Sequence, residues 1–270
     1  MKDYLYIDSD DDAHQSRFKV SNTSRIDTLI DEKRFEEALT EIDNLLKTDA
    51  TSVNLNYRGI VLNRLSRHKE SVESFNRALG LDESGEILIN KANALYDWAK
   101  ITFFPEADHE KALRLIDCGL DALPDGEDPS EFYFLKAEIL EALNQLDESY
   151  RCYLMAYKEF DKVKEFERQC DYLKNTEDTL INIVGSDFYD YVPKESDIVG
   201  LVRDPENEHD SDAIAVIVND KTVGYVANNP YTLIDEVKSA SDINGMIGED
   251  QKAEIMFSYL GEYVIARLIS

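Results

Sequence analysis

Cysteine is scarce in this chain: Cys118, Cys152 and Cys170 are the only three, they lie far apart, and none sits in a C-x-x-C spacing. A cysteine zinc motif or redox pair is therefore not expected, and the simplest reading is reduced thiols in a cytoplasmic protein. Long apolar runs are missing as well. No stretch reaches the roughly 18 apolar residues of a membrane span, and the opening MKDYLYIDSDDDA is acidic where an export leader would be basic and apolar, so neither membrane spanning nor export is expected. Positive charge is short: 29 Lys and Arg face 56 Asp and Glu, a formal net charge of −27. Non-specific DNA affinity comes largely from Lys and Arg displacing counterions, so a general duplex-coating role is disfavoured. The acidic excess is either a solvated surface that aids solubility or a field that steers a basic partner. Catalytic signatures are absent too: there is no P-loop, nucleophile elbow, H-E-x-x-H or glycine-rich dinucleotide motif, and His14, His68, His109 and His209 sit in unrelated segments. No catalytic residue, cofactor or metal is expected, and the chain reads as a non-enzyme.

What is present is enough apolar material, 43% hydrophobic and 10% aromatic, to build packed cores over 270 residues. A length of this order fits about one to two domains, and two are expected. The first is announced by self-similarity. RFEEALTEIDNLL (34–46) recurs as HKESVESFNRALGL (68–81), HEKALRLIDCGLDALP (109–124) and LDESYRCYLMAY (146–157). Each copy places a small residue, then an apolar or aromatic one four later, then a small or apolar one three after that: Ala38/Ile42/Leu45, Ser71/Phe75/Ala78, Ala112/Ile116/Gly119 and Ser149/Tyr153/Ala156. That spacing is one face of a helix.

A second helix precedes each copy, marked by Ile26/Leu29, Gly59/Leu62, Ala92/Leu95 and Ala137/Leu140. From first-helix to second-helix marker the interval is 12 in copies one, two and four and 20 in copy three, so an insertion of 8 residues falls around Lys100 to Ala107. It carries Ile101, Phe103 and Phe104 just after Trp98, an aromatic group to be buried or bound.

These hairpins resemble the tetratricopeptide repeat, whose period is about 34 residues, over Lys19 to Asp161. The resemblance implies an all-α superhelix whose first helices line a concave binding face. By repeat position that face includes Asn56, Ile60, Asn63, Ile89, Asn93, Tyr96, Phe134, Glu138 and Glu141. Family members that capture a C-terminal carboxylate place Lys and Asn in the groove; here the matching sites are Asn56/Ile60 and Ile89/Asn93, so that clamp is missing and an apolar or mildly basic peptide of a protein partner is the expected ligand. Ile26 at a normally small site makes the first copy atypical, as a cap would be. VKEFERQCDYLKN (163–175) has helical periodicity and is expected to close the array or cover its inner face.

After Thr176 the pattern alternates, with strand-like runs at 180–185, 197–203, 213–219, 221–227, 252–260 and 263–269 and one helix expected over Asn229–Ser239, Asn229 as N-cap and Pro230 in the first turn. Six short strands and a helix suit a small, partly open barrel or sheet. VGSDFYDY (184–191), VGLVRDPENEHDSDAIAV (199–216) and KTVGYV (221–226) resemble the HIRAN domain in their order: glycine and paired aromatics, strand-Arg-Asp-Pro, Asn-x-x-Asp-x-x-Ala-Ile, Val-Gly-Tyr. The resemblance implies an OB-related β-barrel and, from the family's fork-remodelling members, capture of the 3′-hydroxyl end of single-stranded DNA. Carried over by position, Phe188 and Tyr189 would stack on terminal bases, and Asn207 and Asp210 would engage the last nucleotide, a carboxylate being a fitting acceptor for a hydroxyl proton. Arg203, His209 and Tyr225 complete the set. This chain departs from the family where His209 stands for a common tyrosine, Asp212 for asparagine and Tyr225 for histidine.

Basic residues in this half are only Lys194, Arg203, Lys221, Lys238, Lys252 and Arg267, against about three times as many Asp and Glu, which gives phosphates little help. Two readings stand: end binding mainly by stacking and hydroxyl recognition, or a retuned pocket in a purely protein-binding module. The alternating acids Asp204 to Asp212 raise a third, a metal-dependent nuclease accessory, but the glycine and glutamate of an EF-hand loop are replaced by His209 and Ala215. The expected layout is an acidic segment 1–18, about four repeats over 19–161, a capping helix and linker 162–178, and the β domain 179–270, together a scaffold for a protein and, through the β domain, a DNA end.

Overall fold

The computed structural model describes residues 19–269, with side chains from Ser24 onward; the acidic segment 1–18, with the strand-like YLYI at 4–7, lies outside the described residues. The chain divides into two compact units between Gln145 and Leu146.

The first unit is helical: α1 (Lys19–Asp31), α2 (Phe35–Leu45), α3 (Ser52–Arg64), α4 (His68–Leu79), α5 (Gly85–Phe103), α6 (His109–Ala122) and α7 (Ser130–Ala142). The small markers do what their size allows. Ala38, Ser71, Ala92, Ala112 and Ala137 are fully buried, and a Cβ on Gly59 would lie 2.5 Å from the Phe75 ring, so α3 and α4 approach through a position only glycine can fill. The Ser71 hydroxyl donates to the Gly59 carbonyl at 2.7 Å across the same contact. Ile42, Phe75 and Ile116, the large residues of the second helices, are buried to the same degree.

Three of the hairpins turn through one device. Lys33, Ser66 and Asn144, at the same repeat position, adopt φ of 58–59°, and the following N–H returns to the carbonyl five residues back, Arg34 to Leu29, Arg67 to Leu62 and Gln145 to Leu140. This closes the first helix with a left-handed cap. The eight inserted residues of the third hairpin lengthen α5 to 19 residues and replace this cap with a wider turn, Ala107 at φ 57° and the Asp108 N–H on the Thr102 carbonyl six residues back. The inserted aromatics divide. Phe103 packs its ring 5.4 Å from that of His109 and Trp98 lies under the Lys111 ammonium, while Phe104 is 78% exposed.

His68 ties α3, α4 and α5 together. Its Nδ1 lies 2.8 Å from Asn63 Oδ1, and Asn63 Nδ2 donates to Asp97 Oδ2 at 2.7 Å. The amide therefore presents its oxygen to the ring, Nδ1 carries the proton, and Nε2 is left as a buried acceptor with no hydrogen bond. Burial pulls the His68 pKa below its ordinary value, against the opposite pull of Asp97 and Glu106. Below about pH 6.5 the unfolded chain gains a proton that the folded chain resists, so stability falls as pH drops through that value. The loss of chemical-denaturation midpoint between about pH 7.5 and about pH 5.5 is expected to shrink in His68→Gln, which has no such proton to take up; an unchanged acid-side slope would clear His68 of the effect.

The second unit opens with α8 (Leu146–Ala156) and α9 (Phe160–Asn175) and continues as β1 (Leu180–Val184), β2 (Ile198–Arg203), β3 (Ile214–Val218), β4 (Lys221–Val226), α10 (Ala240–Ile243), β5 (Lys252–Tyr259) and β6 (Tyr263–Ile269). All six expected strands form. They close completely, in the order β1-β4-β3-β2-β5-β6 with every pairing antiparallel, so the barrel has no open edge where a partly open one was expected. Its interior is aliphatic, with Ile181, Ile183, Leu201, Ile214, Val216 and Ile255 at its centre and Ile243 of α10 packed among them.

The helix expected over Asn229–Ser239 is not there. Asn229 does cap a turn, its Oδ1 accepting the Tyr231 N–H at 2.9 Å and its carbonyl the Thr232 and Leu233 N–H groups. Tertiary hydrogen bonds then take the backbone away from a helix: Asn182 Nδ2 donates to the Thr232 carbonyl at 2.8 Å, and Lys238 N–H donates to the Leu180 carbonyl. The helix of this region starts later, at Ala240, where Ser239 and Asp242 form a reciprocal capping box.

The helix expected to close the repeat array, α9, lays Val163, Phe166 and Leu173 against Leu180, Tyr259 and Ile265 of the barrel, with Leu154 of α8 in the same cluster. The Phe166 ring stacks on that of Tyr259 at 5.4 Å. α8 turns into α9 through the repeat's own device, Lys158 at φ 60° and Glu159 N–H on the Leu154 carbonyl.

Candidate ligand site at one end of the barrel

The end of β2, the start of β3 and the end of β4 meet at one rim of the barrel, and the segment after β1 folds along β4. Gly185 takes φ 78°, starts a 3₁₀ turn over Ser186–Tyr189, and Asp190 at φ 51° ends it. Gly224 makes the approach possible, since a Cβ there would lie 2.9 Å from the Val184 carbonyl oxygen and 3.1 Å from an Ile183 methyl. Downstream, Tyr191 Oη and Lys194 N–H both donate to Asp197 Oδ2, at 2.9 and 3.0 Å. Burial and that carboxylate push the Tyr191 pKa up to about 12, so the phenol stays a donor.

This frame presents Phe188 with 91% of its surface exposed and Tyr189 with 42%. The Tyr189 ring centroid lies 6.4 Å from that of Tyr225, tilted by 49°. Tyr225 Oη donates to Asp204 Oδ2 at 3.2 Å, and Asn207 Nδ2 donates to the same oxygen at 3.2 Å. Burial, reinforced by Tyr189 and then by Asp204, raises the Tyr225 pKa above its ordinary value. Asn207 Oδ1 accepts the His209 N–H at 3.0 Å, and the His209 side chain is exposed. Asp210 is held from two sides, Oδ1 by the Asp212 N–H at 2.9 Å and Oδ2 by Asn228 Nδ2 at 2.8 Å. Asp212 in turn accepts from the Ser241 hydroxyl at 2.8 Å. Arg203, in the register of Leu201 and opposite Ile214, is exposed at the end of its strand.

The predicted residues thus separate by role. Tyr189 and Tyr225 bring their rings together, Phe188 stands exposed on the turn next to Tyr189, Asn207 joins Tyr225 through Asp204, and Asp210 anchors the β2–β3 loop to Asn228. Two residues were missing from the predicted set. Asp204 could have been found, because it lies in the Arg-Asp-Pro run already singled out; Asn228 carried no sequence signal. Of the acids that suggested a metal site, Asp204, Asp210 and Asp212 are engaged in these hydrogen bonds and Glu206 and Glu208 are exposed; among the described residues no group of three or more His, Cys, Asp or Glu is arranged to hold a metal ion.

In the first unit, Asn56 is buried and donates to Glu86 Oε1 at 3.3 Å while accepting from Asn90 Nδ2 at 3.1 Å. Ile60 packs partly into the Leu55/Phe75 cluster. Tyr96 lies half-buried with its ring 5.2 Å from that of Phe132. Ile89, Asn93 and Phe134 are half-buried, and Glu138 is exposed.

Residues 177–251 match the HIRAN domain family. The match ends where β5 begins, although β5 and β6 are needed to close the barrel. No curated protein matches the chain. Among solved structures, a crystal structure of MamA is similar at 14% identity and a TM-score of 0.40, covering 54% of this chain and 81% of that one. A double mutant of MamA from RS-1 is similar at 17% identity and a TM-score of 0.38 over 59% of this chain and 99% of that one. MamA from residue 41 onward, from Desulfovibrio magneticus RS-1, is similar at 17% identity and 0.38 over 58% and 98%. The repeats rest on marker spacing, buried small residues and shared turns rather than on that likeness. Among the described residues, no helix is long and apolar enough to cross a membrane. A helical array of tetratricopeptide-type hairpins and, at 177–251, a HIRAN domain are the two parts this chain joins.

Proposed function

We propose that this protein is a non-enzymatic adaptor whose HIRAN domain binds the free 3′ end of a single DNA strand and whose helical array binds a segment of a partner protein. The observation that carries the DNA reading is Phe188, a large aromatic ring held 91% exposed on a turn fixed by two left-handed residues. A ring kept in water by an ordered backbone is a stacking platform, and every base offers it a face. At the same rim the Asp204 carboxylate, held through Oδ2 by the Tyr225 hydroxyl and the Asn207 amide, is an acceptor suited to a terminal hydroxyl proton.

Glu206, Glu208 and Asp212 around this rim oppose a phosphate backbone, so binding is confined to one or two terminal nucleotides and is weak. Fluorescence anisotropy of short strands ending in 3′-hydroxyl or 3′-phosphate tests this directly. At low salt the hydroxyl end is expected to bind at least about fivefold more tightly; equal binding of the two ends removes the end-recognition reading and leaves a protein-binding domain.

A further inference from the structure

Among the described residues the two most exposed large apolar side chains are Phe188, at 91%, and Tyr231, at 92%. Both stand in the barrel domain. A lone ring in water needs no explanation; the way Tyr231 is held there does. Its segment, where a helix was expected, also carries Leu233, Ile234 and Val237, and those three pack into the cluster that α9 shares with the barrel. Tyr231 is kept out of that cluster by its backbone. Pro230 fixes the chain direction just before it, its own N–H is bound to Asn229 Oδ1 at 2.9 Å, and the next two N–H groups are bound to the Asn229 carbonyl. The Thr232 carbonyl is held in turn by the amide of Asn182, a fully buried residue of β1. Backbone bonds on both sides therefore hold this ring in water, as an ordered turn holds Phe188.

The two turns are seated on the same strand. Ile181 and Ile183 point into the barrel, so Asn182 and Val184 point outward, and the Thr232 turn rests on the outer side of β1. Val184 pairs with Tyr225, whose ring meets that of Tyr189. Next comes Gly185, where a Cβ would lie 3.8 Å from the Phe188 ring. From Asn182 to Gly185 is about 10 Å of extended chain, a span that a single strand with splayed bases can follow. The segment is also tied to the rim at its start, where Asn228 holds Asp210 of the β2–β3 loop. Asp235 and Glu236 outnumber Lys238 around Tyr231, all three exposed, so a strand lying here gains from its bases rather than from its phosphates.

We propose that Tyr231 is a second stacking residue of this site, taking the penultimate base of the strand while Phe188 takes the last one. The inference rests on the reading of the domain as a receptor for 3′ ends, and it names the class of end received: one with two unpaired nucleotides. A base still paired to a complement cannot turn its face to Tyr231, so a strand annealed up to its last nucleotide is refused the second contact.

The test uses the full-length protein and a six-nucleotide thymidine strand with a 3′-hydroxyl, carrying the fluorescent base 2-aminopurine at either the last or the penultimate position. Stacking on an aromatic ring quenches this base, so both probes are expected to dim on binding. Tyr231→Ala is expected to abolish the dimming at the penultimate position alone and to weaken binding roughly 5- to 150-fold. Phe188→Ala is expected to abolish it at the last position. Phe104→Ala, which removes an exposed ring of the helical array, is expected to change neither signal. A longer strand annealed up to its last nucleotide is expected to bind the native protein no better than the free strand binds Tyr231→Ala. Penultimate dimming and affinity that survive Tyr231→Ala overturn the proposal, as does a melting temperature that falls with that variant, which would make Tyr231 part of the fold. Native protein that dims only the terminal probe overturns it while leaving the end-binding reading intact; native protein that dims neither sinks both.

Discussion

Phe188→Ala is expected to weaken binding of a short 3′-hydroxyl strand by about 1–3 kcal/mol, a factor of roughly 5 to 150, without moving thermal unfolding. The asymmetry follows from exposure. With 91% of its surface in water in the free protein, the ring contributes almost nothing to burial on folding, and surface changes of this kind stay within about 0.5 kcal/mol of neutral. Anisotropy titration and a melting curve on the same preparation read the two effects separately. A melting point lowered along with affinity would place Phe188 in the fold rather than in the site, and unchanged affinity would move the stacking surface elsewhere.

The largest stability effect belongs to the first unit. Phe75→Ala is expected to cost about 3–5 kcal/mol, the upper part of the range for core deletions, because the space it leaves cannot be refilled from the opposite wall. That wall is Gly59, where a Cβ would already lie 2.5 Å from the ring, and Phe75 itself is 1% exposed. Gly59→Ala should therefore destabilise the native chain by overpacking, about 1–3 kcal/mol, yet recover part of the loss when combined with Phe75→Ala. Such a sign reversal is the mark of a direct contact. Urea unfolding followed by the fluorescence of Trp98, the single tryptophan, which lies in α5, reports on this unit; additive losses in the double variant would refute the contact as the cause.

The array was legible in the sequence because its constraint is steric and periodic. A hairpin needs a small residue where its helices touch and a large one four further on, and Gly59, Ser71 and Phe75 or Ala92, Ala112 and Ile116 announce that need by their order alone. The left-handed turns were not legible, since Lys33, Ser66 and Asn144 have no chemistry in common and are forced into that conformation by the helices they join. The strands were readable from alternation. Closure of the barrel was not, because it depends on β1 pairing with both β4 and β6, contacts distant in the chain that no local pattern encodes.

The missing helix at Asn229 shows the limit from the other side. Its capping signal was real and produced a turn, but Asn182 and Leu180 of β1 offered hydrogen bonds to the same backbone. At the candidate site, Phe188, Tyr189 and Tyr225 were named from their place in an ordered signature. The polar contacts of Asp204 and Asn228 were not, since hydrogen bonds among loop side chains depend on backbone geometry that residue order does not express.

The packing of α9 on the barrel has a practical consequence. Leu180, Tyr259 and Ile265 point outward from the strands and are kept dry by Phe166, Leu173 and Leu154. The Tyr172 hydroxyl donates to Asp178, which Arg267 joins to Glu254, so the short connection after α9 is pinned rather than slack. Cutting the gene at residue 177, where the family match begins, would strip a greasy flank bare and yield aggregates; a fragment begun at Leu146 would carry its own cover and stay in solution.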